Sequence, residues 1–149
     1  MKLSSSAFDN NSTIPSRFGY KHGNISPPLK IENIPESTKS LVLIMDDPDA
    51  MGVVGKVWTH WVLWNIPPET KQIFENSIPE KSIQGINDFE EIGYGGPAPP
   101  DKEHTYILRL FAINKILDNP TGSTKLEIKN SITSSIIETA KLEGKFSPQ

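Results

Sequence analysis

The fold of this chain can be inferred first from residues 41–68, LVLIMDDPDAMGVVGKVWTHWVLWNIPP. An apolar run, Leu41–Met45, is followed by acidic residues and a proline. A second run, Trp58–Ile66, comes after a short loop and ends at Pro67-Pro68. Short apolar runs that are bounded by turn residues are typical of buried strands, and aromatic residues favour a sheet. The segment therefore predicts two strands that are buried on both faces.

A third strand is expected after the Gly/Pro-rich segment GYGGPAPPDKEHTY, residues 93–106. The run that follows, Tyr106–Ile113, has the sequence YILRLFAI and the same apolar character. Lys71–Phe89 is polar and has no sustained periodicity, which predicts a loop with a short strand near Ile83.

A helix is predicted near the C-terminus. Thr124 and Glu127 have the spacing of a capping box, and Gly144 is a typical helix stop. Four apolar residues between them recur at helical spacing: Ile128, Ile132, Ile136 and Ala140. We therefore predict one helix, or two helices divided near Ser131, that closes the domain.

Composition limits the class of protein. The chain has 149 residues, which predicts a single domain over residues 1–149. A net charge of −3 without a basic stripe gives no reason to expect nucleic acid, and the absence of Cys excludes disulfides and thiolate chemistry. No apolar stretch is long enough to span a membrane and the first residues lack a signal-peptide core, so a cytoplasmic location is expected.

Polar side chains stand where the apolar runs meet the loops. Strand residues two apart point to the same face, and three such pairs occur: Asp47 with Asp49, Trp58 with His60, and His104 with Tyr106. We expect these strand ends to meet at one end of a sheet and to line a small polar pocket.

The pocket would suit a phosphate monoester or a small zwitterion. Its imidazoles and its phenol can donate hydrogen bonds, and the carboxylates can orient an imidazole or attract an ammonium group. Gly95 and Gly96 have no Cβ, so their backbone amides can approach an anion closely.

Plainer interpretations exist for each motif. Asp-Pro-Asp is usually a turn, and GYGGPAPP is by default a rigid loop. Two His and two Asp are a weak signal for a metal, because no pair of His has a close helical spacing. No nucleophile motif is present, although an Asp–His pair could activate water.

At these residues the sequence resembles the phosphatidylethanolamine-binding protein family, in its bacterial and archaeal YbhB/YbcL-like branch. The resemblance covers most of the chain and rests on the order and spacing of five motifs: DPD, HW, NIP, GYGGPAPP and H-x-Y. It implies a mainly β fold, in which a central antiparallel-dominated sheet packs on a smaller sheet and helices are few. It also implies a shallow anion-binding pocket, lined here by Asp47, Asp49, Trp58, His60, Gly95, Gly96, Pro97, His104 and Tyr106.

The chain departs from the family pattern in the first loop. Met51 stands where the family usually has a proline after Asp-Pro-Asp-Ala, so a cis X-Pro turn cannot form there. The loop Ala50–Val57 is therefore expected to run differently, and this leaves the place of Trp58 open. The C-terminal pocket segment of eukaryotic relatives is not recognisable.

The expected function is regulatory binding of a small phosphorylated or anionic ligand, without catalysis, cofactor or metal. One alternative is inhibition of a protease or kinase partner through the loop Ala50–Val57 or the loop Glu91–Glu103. A second is a hydrolase or lyase that uses His60 with Asp47 or Asp49. A homodimer is plausible on general grounds.

Overall fold

The computed structural model describes residues 1–149 and contains two β-sheets with two short helices. A six-stranded sheet has the order β2-β9-β8-β4-β5-β7, and a three-stranded sheet has the order β1-β3-β6. The strands are β1 (Lys2–Ser4), β2 (Ser12–Thr13), β3 (Leu29–Glu32), β4 (Ser40–Asp47), β5 (Trp58–Ile66), β6 (Gln72–Ile73), β7 (Ile83–Gln84), β8 (His104–Ile113) and β9 (Ile136–Phe146). The helices are α1 (Met51–Val54) and α2 (Lys125–Ile132).

The three predicted strands form the centre of the larger sheet. β4 lies between β5 and β8 and pairs antiparallel with both. All eight of its residues are buried, which explains why its sequence is continuously apolar instead of alternating. Only β2 and β9 pair in parallel, so the sheet is dominated by antiparallel pairs, as the resemblance implies.

Both faces of the larger sheet are covered. On one face, Leu41, Leu43 and Met45 belong to the larger hydrophobic core, which also contains Leu3 and Ile31 of the small sheet. On the other face, a second core forms around β4 and includes residues from α2: its β4 and α2 members are Val42, Ile44, Ile128 and Ile132. The mainly β architecture of two packed sheets is therefore confirmed.

The C-terminal helix is only partly as predicted. α2 begins with the expected capping box, in which Thr124 and Glu127 each bond to the other's backbone amide. The helix ends at Ile132, however, and residues 136–146 form β9, which pairs with β8 along its whole length. The prediction that the helix continues through Ile136 and Ala140 to Gly144 is wrong.

Tertiary pairing explains this difference. Without β9, the backbone N–H and C=O groups on one side of the ten-residue strand β8 would have no partner in the sheet. The segment also contains β-branched residues, Ile136, Ile137 and Thr139, which fit a pleated surface well. Pairing with the edge of β8 thus determined the structure of this segment, although four of its apolar residues have helical spacing.

The segments Lys71–Phe89 and Ala50–Val57 contain more regular secondary structure than the sequence indicated. Lys71–Phe89 contains the predicted short strand, β7, and also β6, which pairs with β3. In Ala50–Val57 the first turn is helical: a 3-10 turn, Pro48–Ala50, leads directly into α1 at Met51. None of the helices is both long and apolar enough to cross a bilayer.

Candidate functional site

A cavity of about 160 Å³ opens where β4, β5 and β8 meet their loops. The antiparallel order places the end of β4 beside the starts of β5 and β8, and Asp47 pairs directly with Trp58. Five predicted site residues line the cavity: Asp47, Trp58, His60, His104 and Tyr106. The remaining lining residues are mostly apolar: Ala50, Val53, Val54, Phe89, Ala98, Pro99 and Pro100. The structure thus brings the two imidazoles and one of the two predicted acids together.

A β-bulge aims His60 into this cavity. Met45 pairs with Trp61 and Asp46 pairs with Thr59, so His60 is an additional residue on β5 with no partner on β4. Simple alternation would have placed His60 on the face of Val62 and Trp64, in the opposite core. Bulges redirect single side chains in this way and are frequent beside functional sites.

The tautomer of His60 follows from its backbone partner. Its Nδ1 lies 2.6 Å from the carbonyl oxygen of Gly95, and a carbonyl can only accept, so Nδ1 carries the hydrogen. Burial lowers the pKa of His60, and the Gly95 carbonyl and nearby acids only partly oppose this effect. His60 is therefore neutral near pH 7, with an unprotonated Nε2 as a free acceptor.

His104 has the opposite environment. Its Nδ1 lies 2.6 Å from a carboxylate oxygen of Asp47, and its Nε2 lies 2.7 Å from one of Asp101. Burial alone would lower the pKa of His104, but the hydrogen bonds and charges of Asp47 and Asp101 outweigh burial and raise it. Both ring nitrogens donate to acids, so His104 is an imidazolium held between two carboxylates.

Two further polar groups line the cavity. The Tyr106 hydroxyl lies beside the Asp47 carboxylate and the Ala98 backbone amide, and burial followed by the charge of Asp47 raises the pKa of Tyr106, so the hydroxyl stays protonated. The indole Nε1 of Trp58 is buried without a hydrogen-bond partner. Lys56 lies over the Trp58 ring, with its Nζ 5.7 Å from the ring centroid.

Asp49 does not contribute to the cavity. It is exposed, and its carboxylate accepts a hydrogen bond of 2.9 Å from the backbone amide of Thr105, which ties the start of β8 to the turn after β4. The Asp–His pair at this site is Asp47 with His104. His60 is oriented by a backbone carbonyl, so the predicted pairing of His60 with Asp47 or Asp49 is not formed.

The two glycine amides are not available to a ligand. The Gly95 amide donates to the His60 carbonyl oxygen and the Gly96 amide donates to the side chain of Asn24. A Cβ at Gly96 would lie 2.0 Å from the carbonyl oxygen of Phe18, so Gly is required there for close backbone packing. Pro97 likewise lies outside the cavity, and its carbonyl accepts from the Tyr20 amide. These residues support the wall of the site from behind.

Sequence reasoning missed several residues that line or support the site. Asp101 is the most important, because it is the second acid on His104 and lies three residues before it. The segment PPDKEH contains that spacing, but neither a strand pattern nor the family motif marks Asp101. Val53 and Val54 enter the wall because α1 forms in the loop that the sequence left open.

The site contains no group of three or more His, Asp or Glu side chains arranged to hold a metal ion. Chemically, the cavity offers one imidazolium with two carboxylates, one neutral imidazole acceptor and one phenol donor, in a largely apolar wall. Such a mixture can orient a small polar group by hydrogen bonds and neutralise part of its charge.

Comparison with known proteins agrees with the fold and the motifs. The family model described as "Phosphatidylethanolamine-binding protein" matches residues 4–147. A UPF0098 protein of Methanothermobacter thermautotrophicus is 42% identical over 151 residues, covering 98% of both chains. A UPF0098 protein of Chlamydia trachomatis is 36% identical over 148 residues, with the same coverage.

Two solved structures have the same fold over nearly the whole chain. A phosphatidylethanolamine-binding protein homolog from Chlamydia trachomatis superposes with a TM-score of 0.93 and 35% identity, covering 99% of this chain and 97% of that one. YbcL of E. coli, described as a member of the mammalian family, gives a TM-score of 0.92 and 26% identity, covering 99% and 98%. The chain therefore belongs to the phosphatidylethanolamine-binding protein family.

Proposed function

We propose that the cavity binds a small phosphorylated or otherwise anionic group and that the protein acts by binding this group, not by transforming it. The observation that carries this proposal is the set of polar groups that the fold leaves open to the cavity. The lone pair of His60 Nε2 and the hydroxyl of Tyr106 both face a space of about 160 Å³ whose wall is otherwise largely apolar. Polar groups left free in such a wall are typical of a ligand site.

The charges in the wall are partly compensated. The imidazolium of His104 lies in the wall of the cavity and is held there by Asp47 and Asp101. These two carboxylates offset the positive charge of His104, so the hydrogen-bonding groups of the cavity support the proposal more than the charge does. The Tyr106 hydroxyl and the unpartnered indole Nε1 of Trp58 supply donors for the oxygens of the anion.

Catalysis finds less support in the geometry. Both nitrogens of His104 are engaged by carboxylates, so His104 has no free position from which to move a proton. His60 has a free acceptor, but no Ser, Thr or Cys lies among the residues that line the cavity, and the Asp47 carboxylate is engaged by His104. The family description also names binding and no reaction.

Titration with ligand tests the proposal. Inorganic phosphate and O-phosphoethanolamine, added at millimolar concentrations, should shift the ring signals of His60 and His104 in an NMR spectrum of the labelled protein. Replacing Tyr106 by Phe removes one hydrogen bond to a charged group, worth about 1.5–3 kcal/mol, and should weaken binding at least tenfold. If neither imidazole responds at 50 mM of either compound (roughly the weakest binding of interest), the cavity is not an anion site.

Inhibition of a protease or kinase remains the alternative, with less structural support. An inhibitory loop must present an extended, exposed segment. The Ala50–Val57 loop instead contains α1, and the Glu91–Glu103 loop is attached to the body of the protein through the Tyr94 hydroxyl and the Gly96 amide. A panel of serine proteases incubated with the protein tests this alternative, and inhibition that survives His60→Asn would favour it.

A further inference from the structure

We infer that the cavity selects oxoacids that still carry a hydrogen, such as the monoanion of a phosphate monoester or a phosphonate, over proton-free anions of the same shape and charge, such as a sulfate ester. The inference rests on the proposed function and adds to it the chemical class of the ligand. It follows from a count of the acceptors and donors that face the cavity.

The first acceptor is His60 Nε2. The Gly95 carbonyl, 2.6 Å from Nδ1, holds the ring in the Nδ1–H tautomer, which leaves a lone pair on Nε2. Because the ring is buried, protonating Nε2 to turn it into a donor is disfavoured. An oxygen that carries no hydrogen would therefore meet a lone pair at this position, whereas a P–O–H group can donate to it.

Three acids lie near the His60 ring. Asp47 and Asp46 of β4 and Asp88 of the loop between β7 and β8 all favour its protonated form. Burial nevertheless outweighs them, and the neighbouring rings of Phe89 and Tyr106 add no positive charge. Neutral His60 is thus a consequence of the packing on every side of the ring.

The remaining wall also contains more acceptors than free donors. The two carboxylates on His104 exceed its single positive charge by one, and both hydrogens of the imidazolium are already donated to them. Three donors lie near the cavity: the indole Nε1 of Trp58, which has no partner, the Tyr106 hydroxyl, which lies beside Asp47, and the Ala98 amide, which lies beside the Tyr106 oxygen. A protonated oxoacid fits this arrangement, because it donates one hydrogen to Nε2 and its other oxygens can accept from the Trp58 indole and the Tyr106 hydroxyl.

Methyl phosphate and methyl sulfate make a matched pair for the test. They have the same shape, and the monoanion of methyl phosphate has the same charge as methyl sulfate, so the two differ by one hydrogen. At pH 6.5 roughly a quarter of a phosphate monoester with a second pKa of about 6 carries that hydrogen. We expect isothermal titration calorimetry to show at least about tenfold tighter binding of methyl phosphate. Titrations in two buffers of different ionisation enthalpy should also show net uptake of a proton on binding.

The possible outcomes separate this inference from the proposed function. Equal affinities for the two compounds, with no proton uptake for methyl phosphate, would overturn the inference and leave anion binding in place. No binding of either compound would overturn both. Tighter binding of methyl phosphate together with proton uptake would support both.

The variants His60→Asn and His60→Gln test whether the preference for methyl phosphate depends on the acceptor at His60 Nε2. The Asn amide can still donate to the Gly95 carbonyl but provides nothing at the position of Nε2, whereas the longer Gln places an amide oxygen near it. His60→Asn should therefore bind the two compounds equally, and His60→Gln should restore part of the preference. Nitrogen NMR of the wild-type protein gives a test that does not depend on folding of a variant. A protonated Nε2 and an unprotonated Nδ1 in the free protein at pH 6.5 would contradict the inference.

Discussion

At the scale of single residues, the site depends on two histidines that face one cavity and hold different charge. His60 donates to a backbone carbonyl and is neutral, whereas His104 donates to Asp47 and Asp101 and is positively charged. The difference comes from the partners and not from exposure, because both rings are almost fully buried. A buried imidazole takes the charge that its hydrogen-bond partners can compensate.

The first prediction concerns the titration of these histidines. By NMR, His104 should lose its proton above pH 6.5, the usual value for His, and His60 should remain neutral until well below it. The two histidines change the free energy of unfolding with pH in opposite directions. The contribution of His104 is fully present below about pH 6.5 and is lost as the pH rises through its raised pKa, whereas that of His60 is present above about pH 6.5 and is lost as the pH falls. Titration of both rings at the same pH would show that their partners do not set their charge.

The second prediction compares two aspartates that are two residues apart. Asp47→Asn removes the buried acid on His104, and we expect the free energy of unfolding to fall by about 2 kcal/mol, the value of a hydrogen bond to a charged group. Asp49→Asn is the matched control, because its exposed amide oxygen can still accept from the Thr105 amide, and it should change stability by no more than about 0.5 kcal/mol. Urea unfolding at pH 7, followed by Trp fluorescence, measures both. Equal losses would contradict the assigned roles.

At the scale of elements, the cavity depends on how two irregular segments support the ends of regular strands. The bulge in β5 turns His60 toward the cavity, and the loop before β8 holds the ring through Gly95, which both accepts from Nδ1 and donates to the His60 carbonyl. Gly96 allows close packing of backbone against backbone, and Gly95 leaves room for the Phe89 ring. The loop therefore works as a fixed support for His60.

The third prediction contrasts this loop with α1. Gly96→Ala would place a Cβ 2.0 Å from the Phe18 carbonyl oxygen, so we expect a loss of roughly 1–3 kcal/mol or more in the free energy of unfolding. Gly52→Ala in α1 meets no atom within 4 Å and should instead increase stability by about 0.4–1 kcal/mol, since Ala reduces the freedom of the unfolded chain. Thermal and urea unfolding of the two variants measure the contrast. A tolerated Gly96→Ala would show that the loop can move away from Phe18.

The C-terminal segment shows how an element can depend on its neighbours. α2 begins where its capping box predicts, and Ile128 and Ile132 bury it against the second core. Lys125 adds an ion pair of 3.1 Å with the buried Asp46 of β4. Ile132 is the last residue of the chain in the second core, and residues 136–146 pair with the edge of β8 as β9.

At the scale of the whole molecule, the cavity belongs to the folded state alone. Its polar groups come from two separate stretches of the chain, residues 47–60 and residues 101–106, which meet only when β4, β5 and β8 are aligned. A ligand of this cavity therefore binds the native protein and not the unfolded chain. Ligand binding must then raise stability by mass action.

The fourth prediction follows from this linkage. O-phosphoethanolamine at ten times its dissociation constant should raise the free energy of unfolding by about 1.4 kcal/mol and the melting temperature by roughly 3–6 °C. Tyr106→Phe is the control at the same ligand concentration, because it experiences the same salt effect but loses a donor in the cavity. Identical increases for the two proteins would indicate a general salt effect and argue against a specific site.

The sequence by itself determined the central strands and the residues at their ends. Apolar runs such as Leu41–Met45 and Trp58–Ile66 indicate buried strands without reference to the rest of the chain, because short apolar runs between turn residues are typical of such strands. It also located Asp47, the two imidazoles and the phenol that line the cavity, since polar residues at the end of a buried strand must face a cleft or solvent.

Only the tertiary structure decided which of these groups are free and which are already bonded. Asp49, Gly95 and Gly96 have their hydrogen bonds inside the protein, and Asp101 joins His104 without any motif to mark it. The bulge at His60 and the strand β9 likewise depend on partners far away in sequence. The physical reason is that local sequence records whether a side chain prefers burial, whereas hydrogen-bond partners are assigned only when distant backbone segments are brought side by side.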